Sequence, residues 1–593
     1  MLSTQTIKSI CSNMLLILTL SVFFSCQKDI SIEDGGPVVT PPDLSTKISS
    51  SISGFVTDEN DAAVKGATVQ FGTSSITTDK YGYFEAKNVQ VVKEAAVVTV
   101  SKPGYFKGIK TYMAKEGKAA FFRIKLIPKT TVGNINASSG GTVTIANGLS
   151  IKLPAGGIVN AATNTTYTGT VNVAACWINP TATDLNQIMP GDLRGINTAG
   201  SLKLLQTFGM AAVELTGASG ELLQIATGQK ATLILPIPSS LLASAPATIP
   251  LWYFDEAKGL WKEEGSAVKT GNSYVGEVSH FSFWNWDVPG NYVQFDCTLK
   301  DVAGNPVPYV KVIITVAGTY NFGMGHTDLS GFVGGAIPNN AQLVLEVYPL
   351  NYCSSPVYTQ TFTTTNTNIS LGVITMPAGS TATVAGTVTN CNNSPVTNGN
   401  ILMGNNGFNR YPLSNTGSFI FSTLICSNSV PVTLVAEDQA AQQQSAVINT
   451  NLVTGTNNIG NLQACNISNA EFINYSINGT SYSITVPPDT IHTYPYYGNN
   501  VLFMVINGGQ IAGNNSASIY INFAGVAVNS LQPLLDFGAS QSSNLSFQNP
   551  ISVLITEYGA IGEFVSGNFT GVFTGAPNTS YNITCSFRVR RTL

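Results

Sequence analysis

One pattern of strands and turns occurs three times along this chain, and it restricts the fold more than any other feature of the sequence. In the first copy, residues 52–58 alternate apolar with small or polar residues, and the copy closes at Gly82-Tyr83-Phe84. The same order of elements recurs over residues 295–332 and 384–419. Alternation with a period of two residues predicts half-buried strands, and the closing Gly suits a turn position with positive φ. Each copy therefore predicts a small unit built from short strands.

The composition supports an all-β fold along the whole chain. Charged residues are only 10% and Gly accounts for 56 of 593 residues, a mixture that disfavours helices and favours short strands joined by turns. A chain of this length is expected to hold several domains. The 28 basic and 32 acidic residues are spread thinly, so we expect neither a basic stripe nor a nucleic-acid partner.

The three copies resemble the carboxypeptidase-regulatory-like domain, a small β-sandwich related to transthyretin. We assign this resemblance to residues 49–128, 291–377 and 378–465, called here the first, second and third repeat units. The first unit matches the pattern best, whereas the third has Asn390 where the first has Asp58. The resemblance implies a sandwich with no catalytic residues.

Residues 129–290, called here the central unit, follow another pattern. Two strands flank a tight turn near residue 147, and an aromatic segment, 278–287, closes the unit. The unit resembles the paired β-sandwiches of netrin receptors and cartilage intermediate layer proteins, where they accompany a carboxypeptidase-regulatory-like domain. Residues 466–593, the C-terminal domain, also alternate with a period of two and predict a β-domain. The predicted fold class is all-β, with tandem immunoglobulin-like or transthyretin-like β-sandwiches in an extended array.

The N-terminus predicts export. Lys8 precedes the apolar run 14–24, which is too short to span a bilayer but suits a signal peptide. Ser25-Cys26 at its end resembles a bacterial lipoprotein signal, and Gln27-Lys28-Asp29 resembles the surface-export signal of Bacteroidetes lipoproteins. The resemblance implies a signal peptide over 1–25, a lipid on Cys26, a flexible tether over 26–48 and an anchor in the outer membrane, with the chain exposed at the cell surface. The alternative is an ordinary secretory signal with Cys26 incidental.

The cysteines predict disulfides in an oxidising compartment. No Cys-x-x-Cys pair is present, which argues against zinc and redox chemistry. Because each pair falls within one unit, we predict bridges between Cys297 and Cys353 and between Cys391 and Cys426, with Cys465 as an alternative partner in the third unit. The two remaining cysteines of the exported chain beyond Cys26 are expected as core thiols, namely Cys176 and Cys585.

One tripeptide, His280-Phe281-Ser282, resembles the self-cleavage site of sandwiches related to the central unit. There the Ser hydroxyl attacks the preceding carbonyl and the His accepts its proton. The competing interpretation is a regular closing strand, with Phe281 and Phe283 on one face and Trp284 and Trp286 on the other. We favour the strand and predict no cleavage.

No other constellation predicts catalysis or a cofactor. The three histidines, His280, His326 and His492, are far apart in the sequence and have no partner at ligand spacing. Five acidic residues lie singly at turns and not in a calcium loop, so they predict hydrogen bonds to the backbone and no metal site; they are Asp58, Glu59, Asp61, Asp79 and Asp328.

The expected function is therefore non-catalytic adhesion or binding to an extracellular protein or glycan. The candidate ligand-binding residues are Tyr494, Tyr496 and Tyr497, the one aromatic cluster outside a clearly predicted strand. One alternative is an autoproteolytic or enzyme-accessory protein that acts through the central unit, and another is a structural spacer.

Overall fold

The computed structural model describes residues 41–591, apart from the short segments 320–321, 350–353, 405–407, 466, 469, 487–488, 499–500, 511–516, 543–544, 548, 560–563 and 577–578. The predicted signal peptide, Cys26 and most of the tether lie outside the described residues. Among the described residues, no helix is long and apolar enough to cross a membrane.

The first repeat unit is a sandwich of two sheets. Its strands are β1 (Lys47–Thr57), β2 (Thr68–Phe71), β3 (Ser74–Thr77), β4 (Tyr83–Val92), β5 (Ala96–Ser101), β6 (Gly108–Tyr112) and β7 (Ala119–Lys125). A three-stranded sheet has the order β4-β1-β7, and a four-stranded sheet has the order β3-β2-β5-β6. The first and last strands, β1 and β7, pair in parallel, whereas β1 and β4 are antiparallel.

The central unit forms one continuous sheet system of 13 strands. Its elements are β8 (Thr131–Asn136), β9 (Gly141–Thr144), β10 (Ser150–Leu153), β11 (Ile158–Asn160), β12 (Thr170–Ile178), α1 (Leu185–Ile188), β13 (Arg194–Ile196), β14 (Leu202–Thr216), β15 (Leu222–Ile225), β16 (Ala231–Pro236), β17 (Thr248–Asp255), β18 (Leu260–Thr270), β19 (Ser273–Val278) and β20 (Phe283–Gly290). Strand β14 pairs with β12, β13, β15 and β20. The two predicted sandwiches are thus joined through this long strand.

The second repeat unit has the strand order of the first. The third keeps the same three-stranded sheet, and its other sheet has six described strands. The strands of these two units are β21 (Tyr292–Lys300), β22 (Lys311–Val316), β23 (Phe322–His326), β24 (Phe332–Pro338), β25 (Gln342–Tyr348), β26 (Tyr358–Thr363), β27 (Ile369–Thr375), β28 (Thr381–Thr389), β29 (Gly399–Gly404), β30 (Phe408–Pro412), β31 (Ser418–Leu424), β32 (Ser429–Asp438), β33 (Gln443–Gln444), β34 (Ile448–Val453), β35 (Gly455–Gln463) and β36 (Ile467–Ser468). The three-stranded sheets have the orders β24-β21-β27 and β31-β28-β35, and in both the first and last strands are parallel.

The C-terminal domain has nine strands around one core. They are β37 (Glu471–Ile477), β38 (Thr480–Val486), β39 (Thr490–Gly498), β40 (Val501–Gly509), β41 (Ser518–Ala524), β42 (Ser530–Ala539), β43 (Ser552–Tyr558), β44 (Phe564–Gly575) and β45 (Thr579–Arg590). Strand β42 joins the two halves, because its first residues pair with β43 and its later residues pair with β41.

The tandem β-sandwich units pack against one another through buried side chains. Phe106 of the first unit lies in one buried cluster with Trp252 of the central unit. A second cluster contains Phe121, Tyr309 and Tyr411, one from each repeat unit. The ring centroids of Phe121 and Tyr309 are 4.4 Å apart, and those of Tyr309 and Tyr411 are 5.5 Å apart. These apolar side chains on the outer surfaces of the sandwiches are buried only by neighbouring units, which favours a compact arrangement.

A buried ion-pair network joins the first and third repeat units. Arg410 is 8% exposed, and its Nη2 donates to carboxylate oxygens of Asp79 and Glu437, each at 2.9 Å. Lys80 Nζ lies 3.4 Å from Glu437 Oε1, and burial, with Arg590 nearby, lowers the pKa of Lys80 to about 8. Burial raises the pKa of Asp79, and the adjacent Arg410 guanidinium opposes that rise. Two of these ion pairs therefore cross the interface, because Asp79 pairs with Arg410 and Lys80 pairs with Glu437 of the other unit.

A second buried pair attaches the C-terminal domain to the first unit. Glu471 is 5% exposed and accepts a hydrogen bond from Lys65. It also accepts one from the backbone N–H of Arg590 at 3.0 Å. Burial lowers the pKa of Lys65, and the charge of Glu471 opposes that change.

We predict that Arg410→Met lowers the free energy of unfolding by about 3 kcal/mol, because two buried carboxylates lose their counter-charge. Denaturant titration measures the change. The matched control is Lys230→Met, which removes the pair of Lys230 with Glu277, where both side chains are about 60% exposed; we expect less than about 1 kcal/mol there. Equal effects of the two substitutions would contradict a stabilising role for the network.

Candidate functional site

The C-terminal domain carries an exposed aromatic face on β39 and β40. Tyr494 and Tyr496, two residues apart on β39, are 48% and 45% exposed. In register with them on β40 are Val505 and Phe503, and the rings of Tyr496 and Phe503 are stacked at 4.9 Å. Because alternate residues of a strand share a face, these four side chains form one surface, called here the aromatic face. The aromatic face therefore presents two partly exposed tyrosine rings next to Phe503 and Val505.

The third predicted tyrosine lies apart from the aromatic face. Tyr497 is 77% exposed, but the alternation along β39 places it on the opposite side of the strand from Tyr496. His492 extends the row of Tyr494, and their ring centroids are 6.3 Å apart. Burial, with Lys102 and Lys65 nearby, lowers the pKa of His492, which favours its uncharged form.

The sequence did not identify Phe503 and Val505 as members of the aromatic face. They lie in the continuous apolar run 501–506, which does not distinguish the two faces of a strand. The pairing of Tyr496 with Phe503 supplies the missing information.

The tripeptide His280-Phe281-Ser282 lies in a bend just before β20. The backbone N–H of Phe281 donates to Gln224 Oε1 at 2.7 Å, and Gln224 Nε2 donates to the Phe281 carbonyl at 3.1 Å. Ser282 Oγ donates to the carbonyl of Phe283 at 3.1 Å. Cleavage requires the Ser282 hydroxyl to attack the Phe281 carbonyl, which precedes it. In the structure this hydroxyl donates instead to the carbonyl of the residue that follows it, Phe283.

The environment of His280 does not favour its role as a base for Ser282. Its ring packs edge-on against Tyr253 at 4.7 Å and beside Trp284 at 5.1 Å. Within the described part of the chain, no hydrogen bond joins His280 to Ser282. Burial is the main cause that lowers the pKa of His280.

The predicted faces of this segment need one correction. Phe281 lies in the inner core with Trp284 and Trp286, whereas Phe283 lies in the cluster that faces the first unit. The expectation paired Phe281 with Phe283, but the bend interrupts the alternation because β20 begins only at Phe283. The Phe281 carbonyl is accordingly held by a side-chain amide and not by a strand ladder.

We predict that the purified chain does not cleave itself between Phe281 and Ser282. Intact-mass spectrometry should find a single species, and Ser282→Ala should leave that mass pattern and the folding unchanged. Two fragments that meet at this bond, and that Ser282→Ala abolishes, would make the central unit an autoproteolytic domain.

The carboxylates of Asp58, Asp79 and Asp328 accept hydrogen bonds from backbone N–H groups at their turns, as predicted. Asp58 Oδ1 accepts from the N–H groups of Asn60 and Ala62, each at 2.9 Å. The same pattern recurs at equivalent turns of the repeat units, at Asp79, Asp301, Asp328 and Asn390. Asp61 pairs instead with Lys125, at 2.8 Å. Over the described residues, no group of three or more His, Cys, Asp or Glu side chains is placed to bind a metal ion.

The predicted Cys391–Cys426 bridge is wrong, because Cys391 is bonded to Cys465. Thr389 and Gln463 are in register at the parallel ends of β28 and β35, and each cysteine lies two residues further along its strand. Their Cα atoms are 4.9 Å apart. Cys426 follows β31, which is antiparallel to β28, and so it lies at the other end of β28.

The predicted bridge from Cys297 is also wrong. Cys297 is a free thiol, 1% exposed within the core of the second unit, and its intended partner Cys353 lies outside the described residues. Burial raises the pKa of the Cys297 thiol to about 12 and that of the Cys176 thiol to about 11. Cys176 and Cys585 are free thiols, as expected; Cys585 is buried and Cys176 is half-buried.

Comparison with known proteins supports the family resemblance predicted for the first unit. Residues 51–126 match the family model of the Carboxypeptidase regulatory-like domain, which confirms the resemblance predicted there. A stretch of 163 residues is 28% identical to cartilage intermediate layer protein 2 of Mus musculus, covering 26% of this chain. The match covers 14% of that protein's length.

Two solved structures overlap this chain weakly. The shaft pilin spaA from Lactobacillus rhamnosus GG is 9% identical and covers 30% of this chain and 98% of its own, with a TM-score of 0.17. The Bacillus anthracis TIE protein is 10% identical and covers 71% of this chain and 51% of its own, with a TM-score of 0.14. TM-scores this far below 0.5 do not establish a shared arrangement of domains.

Proposed function

We propose that this chain is a non-catalytic binding protein of the cell surface, and that the aromatic face of its C-terminal domain binds glycan. The observation that carries the proposal is the exposed pair Tyr494 and Tyr496, backed by Phe503. Exposed aromatic side chains aligned on one strand face are unusual in a domain whose other aromatic rings are largely in the core.

The geometry suits a sugar chain. Residues two apart on a strand lie roughly 7 Å apart, so Tyr494 and Tyr496 present two adjacent ring faces. The apolar C–H face of a pyranose ring stacks on such a ring, and the phenolic oxygens donate to and accept from sugar hydroxyls. In its uncharged form, His492 at the end of the row supplies a further hydrogen-bonding group without attracting anions.

The rest of the chain would then position this face outside the cell. In this proposal Cys26 carries the lipid and anchors the chain in the outer membrane, and the tether 26–48 separates the packed units from the bilayer. The support is the apolar run 14–24 followed by Ser25-Cys26. An acyl anchor contributes about 0.8 kcal/mol for each buried methylene, which is sufficient when more than one chain is attached.

The anchor predicts a localisation change. We expect Cys26→Ala to leave the chain unprocessed or release it from the membrane fraction, because the lipidated side chain is lost. Immunoblotting of carbonate-washed membranes measures this. A Cys26→Ala chain that is processed and still membrane-bound would contradict lipidation at this residue, and protease treatment of intact cells tests surface exposure separately.

The aromatic face predicts a specific loss of binding. A glycan array probed with the Cys26→Ser chain should identify bound oligosaccharides, and the double substitution Tyr494→Ala/Tyr496→Ala should weaken that binding at least tenfold, since each stacked ring contributes roughly 1 kcal/mol. The matched control is Tyr497→Ala, which removes a more exposed tyrosine from the other side of the same strand.

The outcomes separate the functions considered. Equal loss in Tyr497→Ala and in the double variant would show that the aromatic face is not the binding surface. Binding to an array of extracellular matrix proteins, with none to glycans, would assign the chain to protein adhesion. Absence of binding on both arrays would favour a structural spacer.

A further inference from the structure

A cavity of about 370 Å³ lies where the first unit, the central unit and the second unit meet. Strands β6 and β7 of the first unit line one side, and β23 and β24 of the second unit line the other. All four are the outermost strands of their sheets. The cavity therefore opens along the edge of the second sandwich and reaches between its two sheets.

The cavity exists because the second unit lacks a core side chain that the other repeat units have. Gly335 on β24 pairs with Phe295. The equivalent positions are Ala86, which pairs with Ile52, and Phe421, which pairs with Val384. Ala86 and Phe421 are 5% and 6% exposed, whereas a Cβ built on Gly335 would meet no atom within 4 Å.

A second core position is also glycine in this unit alone. Gly325 pairs with Val312 on β22, at the position that Ile76 takes in the first unit and Tyr411 in the third. In the third unit the rings of Tyr411 and Phe421 stack at 3.5 Å. The second unit has glycine at both positions and so lacks that stacked pair. A Cβ built on Gly335 meets no atom within 4 Å, whereas one built on Gly325 would lie 3.1 Å from Val333 Cγ2, so the open space lies at Gly335.

The cavity lining is apolar between the two sheets of the second unit and includes basic side chains elsewhere. Phe295, Val312 and Ile314 form the wall between the sheets. The charged lining residues are five basic side chains and a single acidic one, namely Lys110, Lys115, Lys118, Arg123, Arg194 and Asp192. Asp192 is already paired with Arg194 at 2.7 Å. Lys115 is paired with Asp296, a residue outside the lining, at 2.6 Å. Five basic side chains thus face two carboxylates, so the potential along the charged part of the lining is positive.

Lys110 and His326 are the buried basic residues of the lining, and only Lys110 supplies a positive charge. Lys110 is 2% exposed, donates to the carbonyls of Asn186 and Met189, each at 2.6 Å, and has its pKa lowered to about 7 by burial. A nearby anion would favour its protonated form. His326 has its pKa lowered to about 3 by burial, so it adds no charge at neutral pH.

We infer that this cavity binds a small amphipathic anion, with its apolar tail between the sheets of the second unit and its anionic head beside the basic residues. The volume accommodates roughly 10 to 20 non-hydrogen atoms. A medium-chain carboxylate has this size and charge, whereas a cation of the same shape would face like charges. The site is separate from the aromatic face and does not depend on its function.

Calorimetric titration of the Cys26→Ser chain with decanoate and with decylammonium tests the inference. The two probes share a tail and differ in the sign of the head group. We expect decanoate to bind at one site per chain and at least tenfold more tightly than decylammonium. Equal affinities would show that the basic residues do not select the charge of the head group, which would contradict binding of an anion. An absence of decanoate binding would overturn the inference.

Gly335→Phe locates the site, because it restores the side chain found in the third unit and fills the cavity. We expect it to reduce decanoate binding at least tenfold while leaving the thermal midpoint equal or higher. The matched control is Gly379→Phe, since Gly379 also has no atom within 4 Å of a built Cβ and does not line the cavity. Unchanged binding in a folded Gly335→Phe chain would place the decanoate elsewhere.

The double variant Tyr494→Ala/Tyr496→Ala should bind decanoate normally, so failure of either site is distinguishable from failure of the other.

Discussion

The buried charge network around Arg410 is the interaction on which the arrangement of the units depends. A charge removed from water is stable only when a counter-charge lies beside it, and here Asp79 and Arg410 come from different repeat units. Glu471 of the C-terminal domain likewise has its counter-charge, Lys65, in the first repeat unit. In a chain with only 10% charged residues, several of these few charges lie at interfaces, where they specify which surfaces meet.

The three repeat units share one sandwich fold and differ in the side chains that fill its interior. The Asx-type turns and the parallel closing strand are common to the three repeat units, so the backbone is the same while the interior varies. Tyr411 and Phe421 fill the third unit, whereas the second unit has Gly325 and Gly335 in their place and is open at Gly335. A difference of two core side chains thus separates a structural unit from one with room for a ligand.

The aromatic segments show how neighbouring units decide the role of similar patterns. Trp284 and Phe283 alternate on β20 and are both buried, one in the core and one against the first unit. Tyr494 and Tyr496 share one face of β39 and are about half exposed. The first pattern stabilises an interface, and the second leaves aromatic rings at the surface.

The sequence by itself determined the β class, the three repeats and the hydrogen-bonded turns at residues such as Asp58 and Asp328, because period-two alternation and turn chemistry act over a few residues. It also predicted Tyr494, Tyr496 and Tyr497 as candidate ligand-binding residues. Only the tertiary structure decided that Cys391 bonds Cys465, that Phe281 points away from Phe283 and which surfaces of the units meet. Each of these depends on which distant strands become neighbours, and no local pattern in the chain encodes the parallel pairing of β28 with β35 or the burial of Arg410.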